Sequence, residues 1–311
     1  TLNLLGTAQV MTPQTTNGFI SYNGNEASAT TNKVVIADTT KLLSADGTDA
    51  WIETDDEGNF VNAYAVPAEA SVDGKPDETL TQAIAAAQNG QTVTLLQDVQ
   101  GSITIAAGKT LTLDLGGKTL TSQDNHAILN QGNLTIRDSV GGGAVVCPAA
   151  GKSALQNEPG ATAVIESGKL YKNRNADSSD YYVITNHGTL TIEGGEIVSD
   201  SVNSSAIENG WYTPSQNTGE VYAKLTITGG TVSNSGVTAN GGLYTLKNDD
   251  YGIMEIHGGT FSNTVPDAGT ILNWNELTIT GGTFQAQNAA VATMAAGTAG
   301  NPTYAYEQGK T

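Results

Sequence analysis

Ile184-Thr185-Asn186-His187-Gly188-Thr189-Leu190-Thr191-Ile192-Glu193-Gly194-Gly195-Glu196-Ile197 decides the fold of this chain. It reads as an apolar step ending in Asn, a short alternating strand ending in Ile, a Gly-Gly pair and a third apolar step. Working outward, the opening triplet recurs as Ile128-Leu129-Asn130, Leu155-Gln156-Asn157, Ile207-Glu208-Asn209, Leu246-Lys247-Asn248 and Ile271-Leu272-Asn273. Leu190-Thr191-Ile192-Glu193-Gly194-Gly195 recurs as Leu225 to Gly230, Met254 to Gly259 and Leu277 to Gly282, with weaker copies at Leu134-Thr135-Ile136 and Ala163 to Gly168. Apolar–polar alternation is the mark of a strand with one buried face. A unit this short cannot bury its own apolar face, so it must stack on its neighbours as a solenoid.

The Ile residues of successive copies lie 23 to 35 positions apart. Leucine-rich repeats share the lower end of that range but carry a different consensus, and helical repeats need longer apolar faces at helical spacing. A triangular coil fits: one strand ends at Asn, the next carries Leu-Thr-Ile, and the third follows Gly-Gly. With coils stacked at the ~4.8 Å of paired strands, like residues fall into ladders. Ile136, Ile165, Ile192, Ile227, Ile256 and Ile279 form one, and Leu170, Ile197, Val232, Phe261 and Phe284 another. Asn and Gly at the corners suit positive φ, and stacked Asn amides can hydrogen-bond from coil to coil.

On these residues, across 92–290, the chain resembles the right-handed parallel β-helix proteins of the pectate-lyase-like superfamily, in which an Asn ladder at one corner recurs. Thr79-Leu80-Thr81-Gln82-Ala83-Ile84-Ala85-Ala86-Ala87 before Asn89-Gly90 resembles the short helix that caps such solenoids, and the helix-then-strand entry is similar to bacterial cell-surface proteins of the adhesin-like kind. The expected architecture is therefore all-β: an N-terminal β segment or small subdomain at 1–75, a capping helix at 76–91, a β-helix of seven or eight coils at 92–290, and a C-terminal cap or tail at 291–311. Within the first segment, Trp51 to Thr54 and Phe60 to Tyr64 flank Asp55-Asp56-Glu57-Gly58-Asn59 as a hairpin would. Val34-Val35-Ile36 reads as a further strand, and Asn23 to Thr31 as a loop.

Charged residues make up only 14 % of the 311, against roughly a quarter in an ordinary soluble domain. Thr, Ser, Asn and Gly take their place. The 31 acidic against 13 basic residues leave a net charge of −18, which argues against nucleic acid and anionic membrane as partners. It is compatible with weak Ca2+ binding or with neutral sugar ligands. No stretch approaches the ~20 apolar residues of a membrane span. The single cysteine, Cys147, follows Ala144-Val145-Val146 and reads as an inert buried thiol. The low-charge, Thr/Asn-rich surface points to an extracellular or cell-surface setting.

The coils are not uniform, and insertions mark binding surfaces. Fifteen residues separate Asn209 from Leu225, where the first unit has three. They include Trp211, Tyr212 and Tyr222. The next coil inserts Asp249, Asp250 and Tyr251 at the same corner, the following one places Trp274 after its Asn, and the preceding one places His187 there. These eight residues are the candidate glycan-binding strip. Aromatic faces take the CH groups of a sugar while acids and amides take its hydroxyls. The alternative is that the aromatics fold down and pack the insertion.

An enzymatic reading, polysaccharide lyase or glycoside hydrolase, meets a sparse chemistry. Lyases of the resembled fold use an Arg or Lys base with acidic Ca2+ ligands. The chain has two arginines, Arg137 and Arg174, and the outward residues after Gly-Gly (Lys169, Glu196, Thr231, Thr260, Thr283) are almost without carboxylates. Asn248-Asp249-Asp250 and Asn186-His187-Gly188 are similar to polygalacturonase elements but stand in reverse order. His126, His187 and His257 lack metal-ligand spacing, so no catalytic, metal or cofactor residues are assigned. The expectation is a non-catalytic surface or secreted protein that binds carbohydrate or a host glycoprotein.

Overall fold

The computed structural model describes residues 2–4, 9–11, 34–36, 41–43, 51–54, 60–64, 68–77, 79–172, 181–200, 204–212, 214–219, 221–235, 243–265, 268–286 and 291–293. The chain forms two units, one of residues 1–87 with 93–97, the other of 88–92 with 98–311.

The second unit is a parallel β-solenoid with three ladders of strands. The first sheet runs through Ile103–Ile105, Ile128–Asn130, Leu155–Asn157, Ile184–Asn186, Ile207–Asn209, Leu246–Asn248, Ile271–Asn273 and Val291–Thr293. The second runs from Thr110–Asp114 through Asn133–Arg137, Thr162–Ile165, Thr189–Ile192, Ala223–Ile227 and Gly252–Ile256 to Glu276–Ile279. The third runs from Val99–Gln100 to Thr283–Ala286 and includes the strands after each Gly-Gly pair. Six turns carry Asn at the end of the first strand; the turn before them has Ile105 there, in register with Asn130. Val291–Thr293, expected as part of a tail, instead continues the first sheet by one strand.

The register makes the repeat a set of columns. Ile136, Ile165, Ile192, Ile227, Ile256 and Ile279 are consecutive partners, and the first five are wholly buried. On the third sheet Leu170, Ile197, Val232, Phe261 and Phe284 pair in turn. The Phe261 and Phe284 rings stack at 4.8 Å. Branched aliphatics suit this arrangement because each packs on its own copy above and below.

The six Asn amides form a continuous chain. Each Nδ2 donates to the Oδ1 of the next, from Asn130 through Asn157, Asn186, Asn209 and Asn248 to Asn273, at 2.7–2.8 Å. The second Nδ2 proton goes to a backbone carbonyl, as from Asn186 to Lys224 at 3.0 Å. Positive φ, the second reason expected for Asn at these corners, does not hold. Among the described residues the only non-glycine positive φ values belong to Asp73 (45°) and Tyr251 (60°). The Asn residues close their strands in extended conformation and are selected for the amide alone.

The Gly-Gly corner divides its labour. At Gly229 a Cβ would sit 2.2 Å from the Glu193 carbonyl oxygen of the coil beneath, whereas Gly230 supplies φ +80°. A third device closes the remaining corner. Inward donors at the ends of the third-sheet strands catch carbonyls of the connection to the first sheet. Lys172 Nζ, almost wholly buried, donates to the carbonyls of Cys147 (3.3 Å), Ala149 and Lys152 (2.7 Å each). Asn234 Nδ2 serves Ser204 and Tyr244 at 3.0 and 3.2 Å, and Asn263 Nδ2 serves Leu243 and Gly269 at 2.6 and 2.8 Å. Cys147 belongs to this column: its buried thiol donates to the Asn125 carbonyl at 3.4 Å, and burial raises its pKa.

In the first unit, Trp51–Thr54 and Phe60–Tyr64 pair antiparallel; the turn between them lies outside the described residues, as do the Asn23–Thr31 segment and 294–311. Leu2–Leu4 pairs with Val34–Ile36, and Gln9–Met11 with Lys41–Leu43, both parallel. Ala70–Val72 and Lys75–Asp77 form a hairpin turned by Asp73 and Gly74, both at positive φ, and Ala70–Val72 also pairs with Thr92–Leu95. An Asp-Gly pair between strands is the signal for such a turn, and the sequence reading passed over it. One α-helix stands among the described residues, α1 (Leu80–Ala86), shorter than 76–91 because the hairpin claims the residues before it. Thr79 and Gln82 make a capping box, and Leu80, Ala83 and Ile84 are its buried stripe.

Candidate functional site

The Asn corner carries the insertions, and backbone hydrogen bonds run up it coil by coil. Glu158 N–H donates to Asn130 O, His187 to Asn157, Gly210 to Asn186, Asp249 to Asn209 and Trp274 to Asn248. His187, Asp249 and Trp274 therefore occupy equivalent places on different levels, with Trp211 one residue beyond its own.

Four of the eight candidate residues touch through their rings. His187 stacks on Trp211 at 4.7 Å and 7°. Tyr251 presents its edge to Trp211 at 6.4 Å and to Tyr222 at 5.5 Å. Trp211 is only 5 % exposed, so its faces are spent on neighbours. Burial lowers the His187 pKa, against the opposing charge of Glu158. Asp250 joins the cluster through its backbone, with its carbonyl accepting from Trp211 N–H at 3.0 Å. The turn that delivers Tyr251 is closed by Gly252 N–H to Asp249 O. A bulky residue at φ 60° costs on the order of 1 kcal/mol, which the ring contacts hold in place. Trp274 is elsewhere, packed on Tyr244 and Leu272. The rings open to solvent are Tyr212 and Tyr222, 65 % and 52 % exposed.

Asp249 does not point to solvent. It belongs to a buried polar group that the sequence reading missed. The middle residue of each Ile-x-Asn triplet points out of the solenoid, because Ile and Asn on either side point in. Five of the six middle residues, Gln156, Thr185, Glu208, Lys247 and Leu272, are in register and buried, and Leu129 is half-buried. Glu208 is 4 % exposed, Asp249 2 % and Lys247 8 %. Lys247 Nζ lies 2.8 Å from Asp249 Oδ2 and 4.4 Å from the centre of the Tyr212 ring. The Glu208 and Asp249 carboxyls are hydrogen-bonded to each other, and the Tyr182 hydroxyl to Glu208.

Two carboxylates in contact away from water cannot both be ionised cheaply. Burial, then the Asp249 charge, pushes Glu208 up to about 8. Asp249 is also raised by burial, with Lys247 opposing, and Tyr182 lies well above its usual range for the same first cause and the nearby Glu208. Glu208 therefore holds its proton more readily than an ordinary carboxyl, beside the Lys247–Asp249 ion pair. The alternation rule applied to x would have found Glu208 and Lys247. Nothing in the sequence brings Tyr181 and Tyr182 over that face, where Tyr181 meets both His126 and Tyr182.

Gln156 Oε1 and Trp274 Nε1 are buried on this side of the solenoid without a hydrogen-bond partner, the kind of polar atom that a ligand or water serves. Among the described residues, no group of three or more His, Cys, Asp or Glu is placed to hold a metal ion. Comparisons with protein-family models, curated proteins and solved structures find no match for this chain.

Proposed function

We propose that this protein binds carbohydrate, through the inserted corner of its Asn sheet, as a non-catalytic component of a bacterial cell surface or secretion. The observation that carries the reading is the pair of exposed rings, Tyr212 and Tyr222, beside a rigid base of His187, Trp211 and Tyr251. Exposed rings held on a stiff scaffold bind sugar faces at little ordering cost. The sparse charge and the Thr- and Asn-rich composition favour a neutral polyhydroxylated ligand and an extracellular setting. A host surface glycoprotein would present such a ligand, and adhesion would follow from a long scaffold with the binding corner on its flank.

A second reading, polysaccharide lyase or glycoside hydrolase, is favoured by one observation, the raised acid Glu208 beside Asp249. Its geometry is adverse. A retaining glycosidase sets its two carboxyls about 5 Å apart across the bond, whereas these two are bonded to each other and closed to solvent. The deciding experiment is a glycan array beside reducing-end and unsaturated-product assays on pectins and mucins. Binding is expected without product. Tyr212→Ala and Tyr222→Ala should each weaken it roughly 5- to 10-fold, the worth of one ring contact. Unchanged binding in both variants would retire the sugar face, and steady product formation would replace it with the enzyme.

A further inference from the structure

Tyr212, the most exposed ring of the proposed sugar face, is connected to the buried acid pair by a short chain of contacts. Its ring carries Lys247 Nζ at 4.4 Å; Lys247 is held at 2.8 Å by Asp249; Asp249 shares a hydrogen bond with Glu208. Glu208 and Lys247 are register partners on adjacent coils, and Asp249 follows Asn248 of the ladder. The backbone beneath is therefore fixed, and what can move is the cover: the insertion carrying Trp211 and Tyr212, and the turn from Asp249 to Gly252.

We propose that Glu208 and Asp249 form a proton-held latch, in which one shared proton keeps Lys247 and Tyr212 in place and its loss frees the cover. The proposal gives the proposed sugar face a pH-dependent regulator and takes its functional meaning from that reading. The balance of charge is simple. With the proton present, the pair's single negative charge is matched by the Lys247 ammonium. When the proton leaves to solvent, two carboxylates face one ammonium in a site closed to water. Among the described residues named around it there is no second cation. From the connection before Ile184–Asn186 the group meets Tyr181 and Tyr182, from its own turn Asp250, and from the insertion Tyr212. Outward movement of Asp249 restores its hydration and takes Lys247 from beneath Tyr212.

The sign follows from linkage. The closed form holds its proton up to about pH 8, whereas in an open, hydrated form Glu208 returns to the ordinary range near 4.5. Between those values closing binds a proton, so the closed form is favoured at low pH and loses ground about tenfold per pH unit. Above about 8 both forms are deprotonated and the ratio levels off.

The test is amide hydrogen exchange on the full chain from pH 5.5 to 9, corrected for intrinsic rates, comparing wild type with Glu208→Gln. In wild type, protection of Trp211–Tyr212 and of Asp249–Gly252 is expected to fall about tenfold per unit and then flatten near pH 8, while the Ile207–Asn209 and Thr162–Ile165 strands show no such step. In Glu208→Gln the slope should vanish. A wild-type profile without the slope overturns the latch whether or not the variant folds, and an equal slope in Glu208→Gln overturns it too. No sugar is used, so failure here leaves the binding proposal standing, and failure of binding leaves the latch intact.

Discussion

Removing one interior rung of the Asn ladder gives a magnitude that can be worked from its hydrogen bonds. Asn186 accepts from Asn157 at 2.7 Å, donates to Asn209 at 2.7 Å and donates to the Lys224 carbonyl at 3.0 Å, the first two buried and the third part-buried. Asn186→Ala deletes three bonds, each worth about 1 kcal/mol net, and strands Asn209 Oδ1, adding about 1–3 kcal/mol. The expected loss is roughly 4–6 kcal/mol, large beside the whole stability of a typical domain. Asn273 has one ladder neighbour, Asn248, and spends its own amide on Asn275. Asn273→Ala should cost about half as much. Asn186→Asp should be at least as damaging as Ala, because a carboxylate sets oxygen against the Asn209 oxygen and buries a charge. Urea unfolding followed by far-ultraviolet circular dichroism measures all three. Equal midpoints for Asn186→Ala and Asn273→Ala, or a loss below about 1 kcal/mol at Asn186, would refute the view that the amides act as one connected chain.

Other expectations concern backbone contact and titration. Gly229→Ala brings a methyl against the Glu193 carbonyl oxygen, where its Cβ would stand at 2.2 Å. Coil stacking must shift, and a drop in melting temperature of at least several degrees is expected by calorimetry; an unchanged value would mean that the corner is looser than described. His126, whose Nδ1 accepts from Ser153 N–H, is held down to about 4 by burial first and then by Lys152 and Lys172. Its stabilising effect is full above about 6.5 and is lost as pH falls towards 4, while that of Glu208 is full below about 4.5 and is lost as pH rises towards 8. The two slopes oppose between about 4.5 and 6.5, each at most about 1.4 kcal/mol per pH unit and smaller for part-exposed His126. Chemical denaturation at several pH values should show a smaller fall towards 8 in Glu208→Gln and a smaller rise towards 6.5 in His126→Gln than in wild type.

The solenoid was legible because its letters repeat at matched positions, and steric demand leaves few alternatives to Ile inside, Gly-Gly at one corner and Asn at another. The role of each Asn was half legible. Amide stacking follows from chemistry and repetition, but positive φ was an average tendency of Asn that these extended strand ends do not follow. At the candidate site, the columnar placement of His187, Asp249 and Trp274 could be read from the repeat. The direction of Asp249 could not, because it is set by Lys247 and Glu208, whose outward place is visible only when the pleat is followed through the triplet. The cover of Tyr181, Tyr182 and Tyr212 has no period, so no counting argument reaches it. The Lys172 column escaped for a different reason: three kinds of side chain, Cys147, Lys172 and the pair Asn234 and Asn263, do similar work at matching positions, and a search for identical letters passes over them.

That column has a consequence for how such a chain can change. The connections it holds range from six to eleven residues, whereas the Gly-Gly corner is turned by three residues in each of the last five coils. A long polar arm reaching for whichever carbonyl comes near tolerates a change of length; a carbonyl 2.2 Å from a missing methyl does not. Foreign peptides grafted after Asn234 or Asn263 should therefore be displayed with the stack undisturbed, and variation among homologous chains should collect on that edge while the glycine edge stays fixed.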